Sequence, residues 1–210
     1  MSANQKPSID EIYARSKSGS PETVYADWAA QYDADNMALG FRLPFLAAAF
    51  AARHVPLDAG PVLDAGAGTG MVGASLAVLG YDEITAIDIS EPMLAVAERT
   101  GAYSVLKRQV LGEPLDFPDG SFAATLCIGS FGEGHAPAKA LEELVRVTRR
   151  GGTVIFNVPE ANWSLGGFAP VIDDLTHAGR WLMLEERSGW RAYVVGETDL
   201  TVRLFVFRVT

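Results

Sequence analysis

Val62-Leu63-Asp64-Ala65-Gly66-Ala67-Gly68-Thr69-Gly70 is the stretch whose residue types and spacing point most directly to chemistry. An apolar run enters it and a helical pattern leaves it, which is the context of a ligand-binding turn. Glycines at 66, 68 and 70 let the backbone turn tightly and approach a ligand with no Cβ in the way. A dinucleotide turn sets its third glycine one place later, where this chain has Met71. Asp64 sharpens the distinction, because a carboxylate repels a pyrophosphate and attracts an α-ammonium group.

A ligand with an amino-acid end and no phosphate therefore suits the loop, and S-adenosylmethionine is such a ligand. Its carboxylate can be met by the loop amides and by the N-terminus of the following helix. About 20 residues further on, Ala86-Ile87-Asp88-Ile89-Ser90 ends the next apolar run. Asp88 can accept both hydroxyls of a ribose, and Ile89 can pack on an adenine face. The alternative for Asp88 is an N-cap for a helix from Glu91, a role that Ser90 fills better.

Candidates for the acceptor side follow the fourth apolar run, in Gly129-Ser130-Phe131-Gly132-Glu133-Gly134-His135. Glu133 or His135 would serve as general base if the acceptor arrives protonated. The alternative is a solvated glycine-rich connection. Tyr25, Trp28 and Tyr32 form an aromatic stripe at helical spacing, which is either core or a lid. As a lid it would bring the two tyrosine hydroxyls, with Tyr32 the catalytic candidate, to the cofactor or acceptor. Arg42 could pair with a carboxylate or stay on the surface. Asn157, Pro159, Glu160 and Trp163 follow the fifth run and are further acceptor-site candidates. Arg146, Arg149 and Arg150 read as the cationic end of a helix closed by Gly151-Gly152. The histidines at 54, 135 and 177 and the single Cys127 show no zinc spacing, so no metal is expected.

These residues need a scaffold of alternating strands and helices. The pattern predicts strands over 61–65, 84–88, 103–107, 124–129 and 153–158, with helices over 69–79, 91–100 and 137–149 between them. Such alternation implies right-handed crossovers and a parallel sheet. Upstream, Ser20 as N-cap and Pro21 at the first helical position start a helix running towards Met37, and a second covers 44–54. Downstream, a helix over 168–177 is followed by 180–187 and 200–209, two strands with no helix between them. These must form an antiparallel pair at one end of the sheet.

VLDAGAGTG, AIDIS, FPDGSFAATLCIGSF and RRGGTVIFNV, in that order, resemble the motifs of class I S-adenosylmethionine-dependent methyltransferases. YADWAAQYDADNMALGFRLP further resembles the methyltransferase-like group named after the Williams-Beuren syndrome region. The resemblance covers about Val24 to Pro159. It implies a Rossmann-like α/β fold with a seven-stranded, mostly parallel sheet in the order 3-2-1-4-5-7-6 and a terminal antiparallel hairpin. By position it implies Asp64, Ala65, Gly66 and Gly68 at the methionine end of S-adenosylmethionine and Asp88 at the ribose. Ile89 and Met93 would line the adenine. Relatives often carry an acid after the third strand, where this chain has Leu111, so backbone groups of Leu111 and Gly112 would serve. Ile128 and Ser130 would border the transferring methyl, and Tyr25, Tyr32 and Arg42 would close over the cofactor. No Asn-Pro-Pro-aromatic element follows the fourth or fifth strand, which weakens a nucleobase or glutamine amide as acceptor.

The chain has 210 residues, 17 Lys and Arg against 26 Asp and Glu, and a formal net charge of -9. So acidic a surface disfavours nucleic acid and points to a small-molecule acceptor. One cysteine suits a reducing compartment. The N-terminus shows no signal peptide and no run could span a membrane, so the expected location is cytoplasmic. Residues 1–55 read as a helical extension and 56–210 as the methyltransferase core of one domain. Two rivals are a cofactor-binding regulatory protein without turnover and an NAD(P)-dependent short-chain oxidoreductase. The latter needs a helical Tyr-x-x-x-Lys after the core. Tyr13/Lys17 precedes the glycine loop, and Tyr103/Lys107 falls in a predicted strand, where four residues span ~13 Å.

Overall fold

The computed structural model describes residues 21–210 except 133, 164–165 and 196–199. Strands β1 (Val62–Ala65), β2 (Ile84–Asp88), β3 (Val105–Arg108), β4 (Phe122–Cys127), β5 (Thr148–Pro159), β6 (Trp181–Arg191) and β7 (Thr201–Val209) form one sheet in the order β3-β2-β1-β4-β5-β7-β6. Pairing is parallel from β3 through to β5. β7 runs antiparallel to both β5 and β6. The directly joined strands thus pair as expected, with β7 inserted between β5 and the edge.

Helices cover both faces, which is why β1 and β4 are buried along their whole length. On one face lie α3 (Leu43–His54) and α4 (Met71–Val78), where Ala47, Ala51 and Leu76 join Val62, Ile84 and Val206 in one cluster. On the other, α6 (Ala140–Val147) and α8 (Phe168–His177) bring Leu141, Leu144, Phe168 and Ile172 against Leu63, Phe156 and Phe207. Side chains along β7 alternate between the two faces: Leu204 and Val206 serve the first cluster, and Phe205 and Phe207 the second. The strand order reverses between β1 and its neighbours β2 and β4, so the loops after these three strands converge on one crevice. Helix α5 (Glu91–Glu98) follows β2, and Ser90 is its N-cap, accepting from Met93 N.

Two expected helices change shape. The continuous helix from Pro21 breaks into α1 (Pro21–Trp28) and α2 (Tyr32–Ala38). Short-range bonds from Ala29 N to Ala26 O and from Gln31 N to Trp28 O end the first. The Trp28 indole then donates to Asp35 across the break. Ser20 lies outside the described residues. The helix expected over 137–149 is confined to 140–147, because Thr148 already pairs with Phe122 in β5. Arg149 and Arg150 therefore belong to β5 rather than to a helix end. Arg146 binds Glu143, Asp119 and the carbonyls of Leu115 and Phe117, tethering the segment before β4.

The N-terminal helices share the core of the sheet. Val24, Trp28 and Val55 belong to the same cluster as Val62 and Ile155. Gly40, at φ 65°, shapes the turn that lets Phe41 bridge to Tyr193. The Tyr193 hydroxyl donates to Asn36 Oδ1 at 2.7 Å, anchoring α2 to the segment between β6 and β7. A short α7 (Glu160–Trp163) leads out of β5.

Candidate active site

The glycine turn leaves β1 with Gly66 N and Ala67 N both donating to the Ile87 carbonyl at the end of β2. Gly66 has φ 78°, and a Cβ there would overlap Ser130 Oγ. That hydroxyl donates to the Gly66 carbonyl at 3.0 Å, so the loops after β1 and β4 are laced together. Asp88 turns back towards the same loop. Its Oδ2 accepts from Gly68 N at 2.8 Å and its Oδ1 from Ser90 N at 2.9 Å. Burial raises its pKa above the ordinary aspartate value, and these amide bonds counter the rise.

Asp64 stands behind this wall. Only 1% exposed, it accepts a 2.6 Å hydrogen bond from the Tyr103 hydroxyl. Burial pushes its pKa up to about 7, although the Tyr103 bond pulls the other way. The Tyr103 hydroxyl in turn accepts from Gly73 N at 3.1 Å. A Cβ on Gly70 would meet the Tyr103 ring at 2.9 Å, and one on Gly73 would run into the same ring. The third glycine of the motif is thus required by a tyrosine two residues ahead of β3, a partner that local spacing does not disclose.

A cavity of about 220 Å³ opens over the crevice. Gly66, Gly68, Asp88, Ile89 and Met93 line one side, and Leu111, Ile128 and Ser130 continue it. Tyr25, Tyr32 and His135 line the other side. The Tyr25 hydroxyl lies 2.9 Å from His135 Nε2, joining α1 to the loop after β4. Two further ties hold this roof down: Thr69 Oγ1 donates to Asp33, and Arg108 pairs with Glu22 at 3.1 Å. Trp28 is core, packed edge-on to Tyr32.

Several expected residues stand elsewhere. Asp64 and Ala65 are not on the cavity surface, and Ala65 faces the cluster on the opposite side of the sheet. Arg42 sends its guanidinium to the Arg191 carbonyl, because the chain from 39 to 42 is paired with 192–195. Gly112 faces Pro137, where a Cβ would come within 2.6 Å of the ring. Glu133 lies outside the described residues. Asn157 is buried and accepts from Gly129 N at 2.7 Å, so it shapes the β4 loop from behind. Glu160 pairs with Arg203, and Trp163 stacks on Phe205, both off the cavity, and Pro159 does not line it either. Tyr103 and Lys107 serve separate contacts, the latter pairing with Asp116 at 3.5 Å, so they form no catalytic tyrosine-lysine pair. Tyr13 and Lys17 lie outside the described residues.

Sequence reasoning missed Phe41, Thr69 and Gln109 on the cavity wall. Gln109 Oε1 accepts from Asp116 N, while its Nε2 is buried with no partner among the described residues. Only its place directly after β3 could have drawn attention to it. Among the described residues, no group of His, Cys, Asp and Glu is placed to hold a metal ion. No described helix is long and apolar enough to cross a membrane.

Sheet order, glycine turn and the carboxylate ending β2 define the site of a class I methyltransferase. Residues 63–156 match the family described as a methyltransferase domain. The chain is 33% identical over 197 residues to methyltransferase-like protein 27 of Homo sapiens, covering 86% of this chain and 79% of that protein. The chain solved in complex with the Haloferax volcanii Trm112 methyltransferase activator superposes with a TM-score of 0.68 at 19% identity, over 88% of this chain and 97% of that one. Magnesium protoporphyrin IX methyltransferase from Synechocystis, solved with bound S-adenosylhomocysteine, gives a TM-score of 0.58 at 15% identity, over 80% and 82%. The chain belongs to the S-adenosylmethionine-dependent class I methyltransferases.

The residues present fit that cofactor. The Gly66 and Gly68 backbone leaves a cradle that a Cβ would obstruct on the Ser130 side, and Asp88 faces it as a carboxylate acceptor. No Lys or Arg occurs among the described lining residues, which suits a phosphate-free ligand carrying a sulfonium charge.

Proposed function

We propose that this methyltransferase acts on a small-molecule acceptor held between the glycine-loop wall and the Tyr25–His135 roof. The observation that carries this reading is the 2.9 Å contact between those two side chains, which ties a roof over a cavity of about 220 Å³. The net charge of -9 supports it by disfavouring a polyanionic acceptor.

When bound, S-adenosylmethionine supplies an electrophilic methyl group on a sulfonium sulfur. In this reading the amides of Gly66 and Gly68 meet its carboxylate, and Asp88 accepts from its ribose hydroxyls. Ile89 and Met93 pack on the adenine, with backbone groups of Leu111 at its edge. Ile128 and Ser130 border the methyl and keep it in line with the acceptor, alignment being the main source of acceleration in such a displacement. His135, joined to Tyr25, is the group that takes a proton from an acceptor that arrives protonated. Asp64 acts through Tyr103 by holding the loop in shape.

The test is to incubate the purified chain with S-adenosylmethionine and a cell extract separated by size, following S-adenosylhomocysteine. Product is expected with the low-molecular-weight fraction. Turnover confined to the macromolecular fraction would replace this reading with a protein or nucleic-acid acceptor.

A further inference from the structure

The cavity wall facing the glycine turn is built of rings. Tyr25, Tyr32 and Phe41 line it, and His135 completes its edge. The Tyr25 and Tyr32 centroids are 6.2 Å apart with their planes at 58°, and Tyr25 and His135 are 5.7 Å apart at 64°. Rings of differing tilt therefore line one space. A Cβ on Gly129 would lie 4.0 Å from Phe41 Cζ, so this wall adjoins the carboxyl end of β4.

Charge on the wall is one-sided. Asp88 is the only described acid lining the cavity, Tyr25, Tyr32 and His135 are the other titratable groups, and no Lys or Arg lines it. Arg42, the nearest guanidinium in sequence, is turned to the Arg191 carbonyl. Among the described residues, a carboxylate or phosphate acceptor would find no cation here. A group that carries positive charge would meet the negative faces of the rings.

We propose that the acceptor is an amine, bound with its nitrogen against Tyr25, Tyr32 and Phe41; this rests on the methyltransferase reading above. The nitrogen gives its lone pair to the methyl carbon, the carbon–sulfur bond breaks with its pair kept by sulfur, and the positive charge passes to nitrogen. The rings then face the cation that forms. An amine arriving as ammonium first gives one proton to the imidazole of His135, through the Tyr25 hydroxyl 2.9 Å from Nε2. A phenol would end as a neutral ether and gain nothing from the ring faces.

Three probes of nearly one shape and different charge test this: choline, neutral 3,3-dimethylbutan-1-ol and anionic 3,3-dimethylbutanoate. Each is titrated calorimetrically into the full chain saturated with S-adenosylhomocysteine, whose sulfur is neutral. Choline is expected to bind about tenfold more tightly than the alcohol, with the anion weakest. Phe41→Leu is expected to reduce the choline preference at least about threefold. Equal affinities, a preference for the alcohol or the anion, or no choline binding would overturn the amine assignment. Failure of S-adenosylhomocysteine itself to bind appears in the first titration, and overturns the methyltransferase site and the amine reading together.

Discussion

The Tyr25 hydroxyl and His135 Nε2 meet at 2.9 Å across 110 positions of sequence, and this contact closes helix α1 onto the loop after β4. Because the pair acts as one tie, Tyr25→Phe and His135→Ala should each raise the S-adenosylhomocysteine dissociation rate by about twofold to tenfold. The double variant should be no worse than the more damaging single one. Stopped-flow fluorescence checks this, and strictly additive effects would show that the two side chains act separately.

Asp64 has a pKa of about 7 because it is buried, so the folded chain holds a proton that the unfolded chain releases at an ordinary aspartate pKa. Its contribution to stability is present below the unfolded value and is lost as pH rises through about 7. Asp64→Asn keeps an acceptor for Tyr103 and removes the titration. The difference in Tm between variant and parent should move in the variant's favour from pH 4 to 7 and level off above. A constant difference in differential scanning calorimetry would contradict the assigned shift.

Gly66→Ala carries two penalties, a left-handed backbone at φ 78° and a Cβ that overlaps Ser130 Oγ. The backbone share alone is about 1–2 kcal/mol. Ser130→Gly in the same chain, which removes both the Oγ and the Cβ that the new methyl would overlap, should recover the steric share and leave the backbone share. Urea midpoints of the two singles and the double separate them. Full recovery would mean that the turn relaxes out of its left-handed conformation.

Asp88→Ala removes the acceptor assigned to the ribose and also strips the amides of Gly68 and Ser90 of their partner. Calorimetric affinity for S-adenosylmethionine should fall at least about tenfold, since hydrogen bonds to a charged group are worth roughly 1.5–3 kcal/mol. The domain should stay folded by circular dichroism. Unchanged affinity would remove Asp88 from the site.

Deleting residues 1–40 should cost stability as well as cofactor affinity. Val24 and Trp28 sit in the cluster that contains Val62 and Ile155, and Asn36 holds Tyr193. The Tm should fall by several degrees or the sheet should fail to fold. An unchanged Tm would make the extension a separable cap.

The architecture was legible in the sequence because its signals are short-ranged. Strand-helix alternation, three closely spaced glycines and two strands without a helix between them fix a crossover sheet with a hairpin end. Asp88 was legible for the same reason, as an acid at a strand end a set distance after the turn. Asp64 shows where this stops: its type and position were readable, but its orientation is set by Tyr103, 39 residues later and brought beside it only when β3 joins the sheet. Arg42 was drawn off the site by pairing with residues about 150 positions away, and Phe41 was carried onto it by the same pairing. Local spacing records which face a residue takes on its own element. Which distant side chain meets it there depends on how the elements pack.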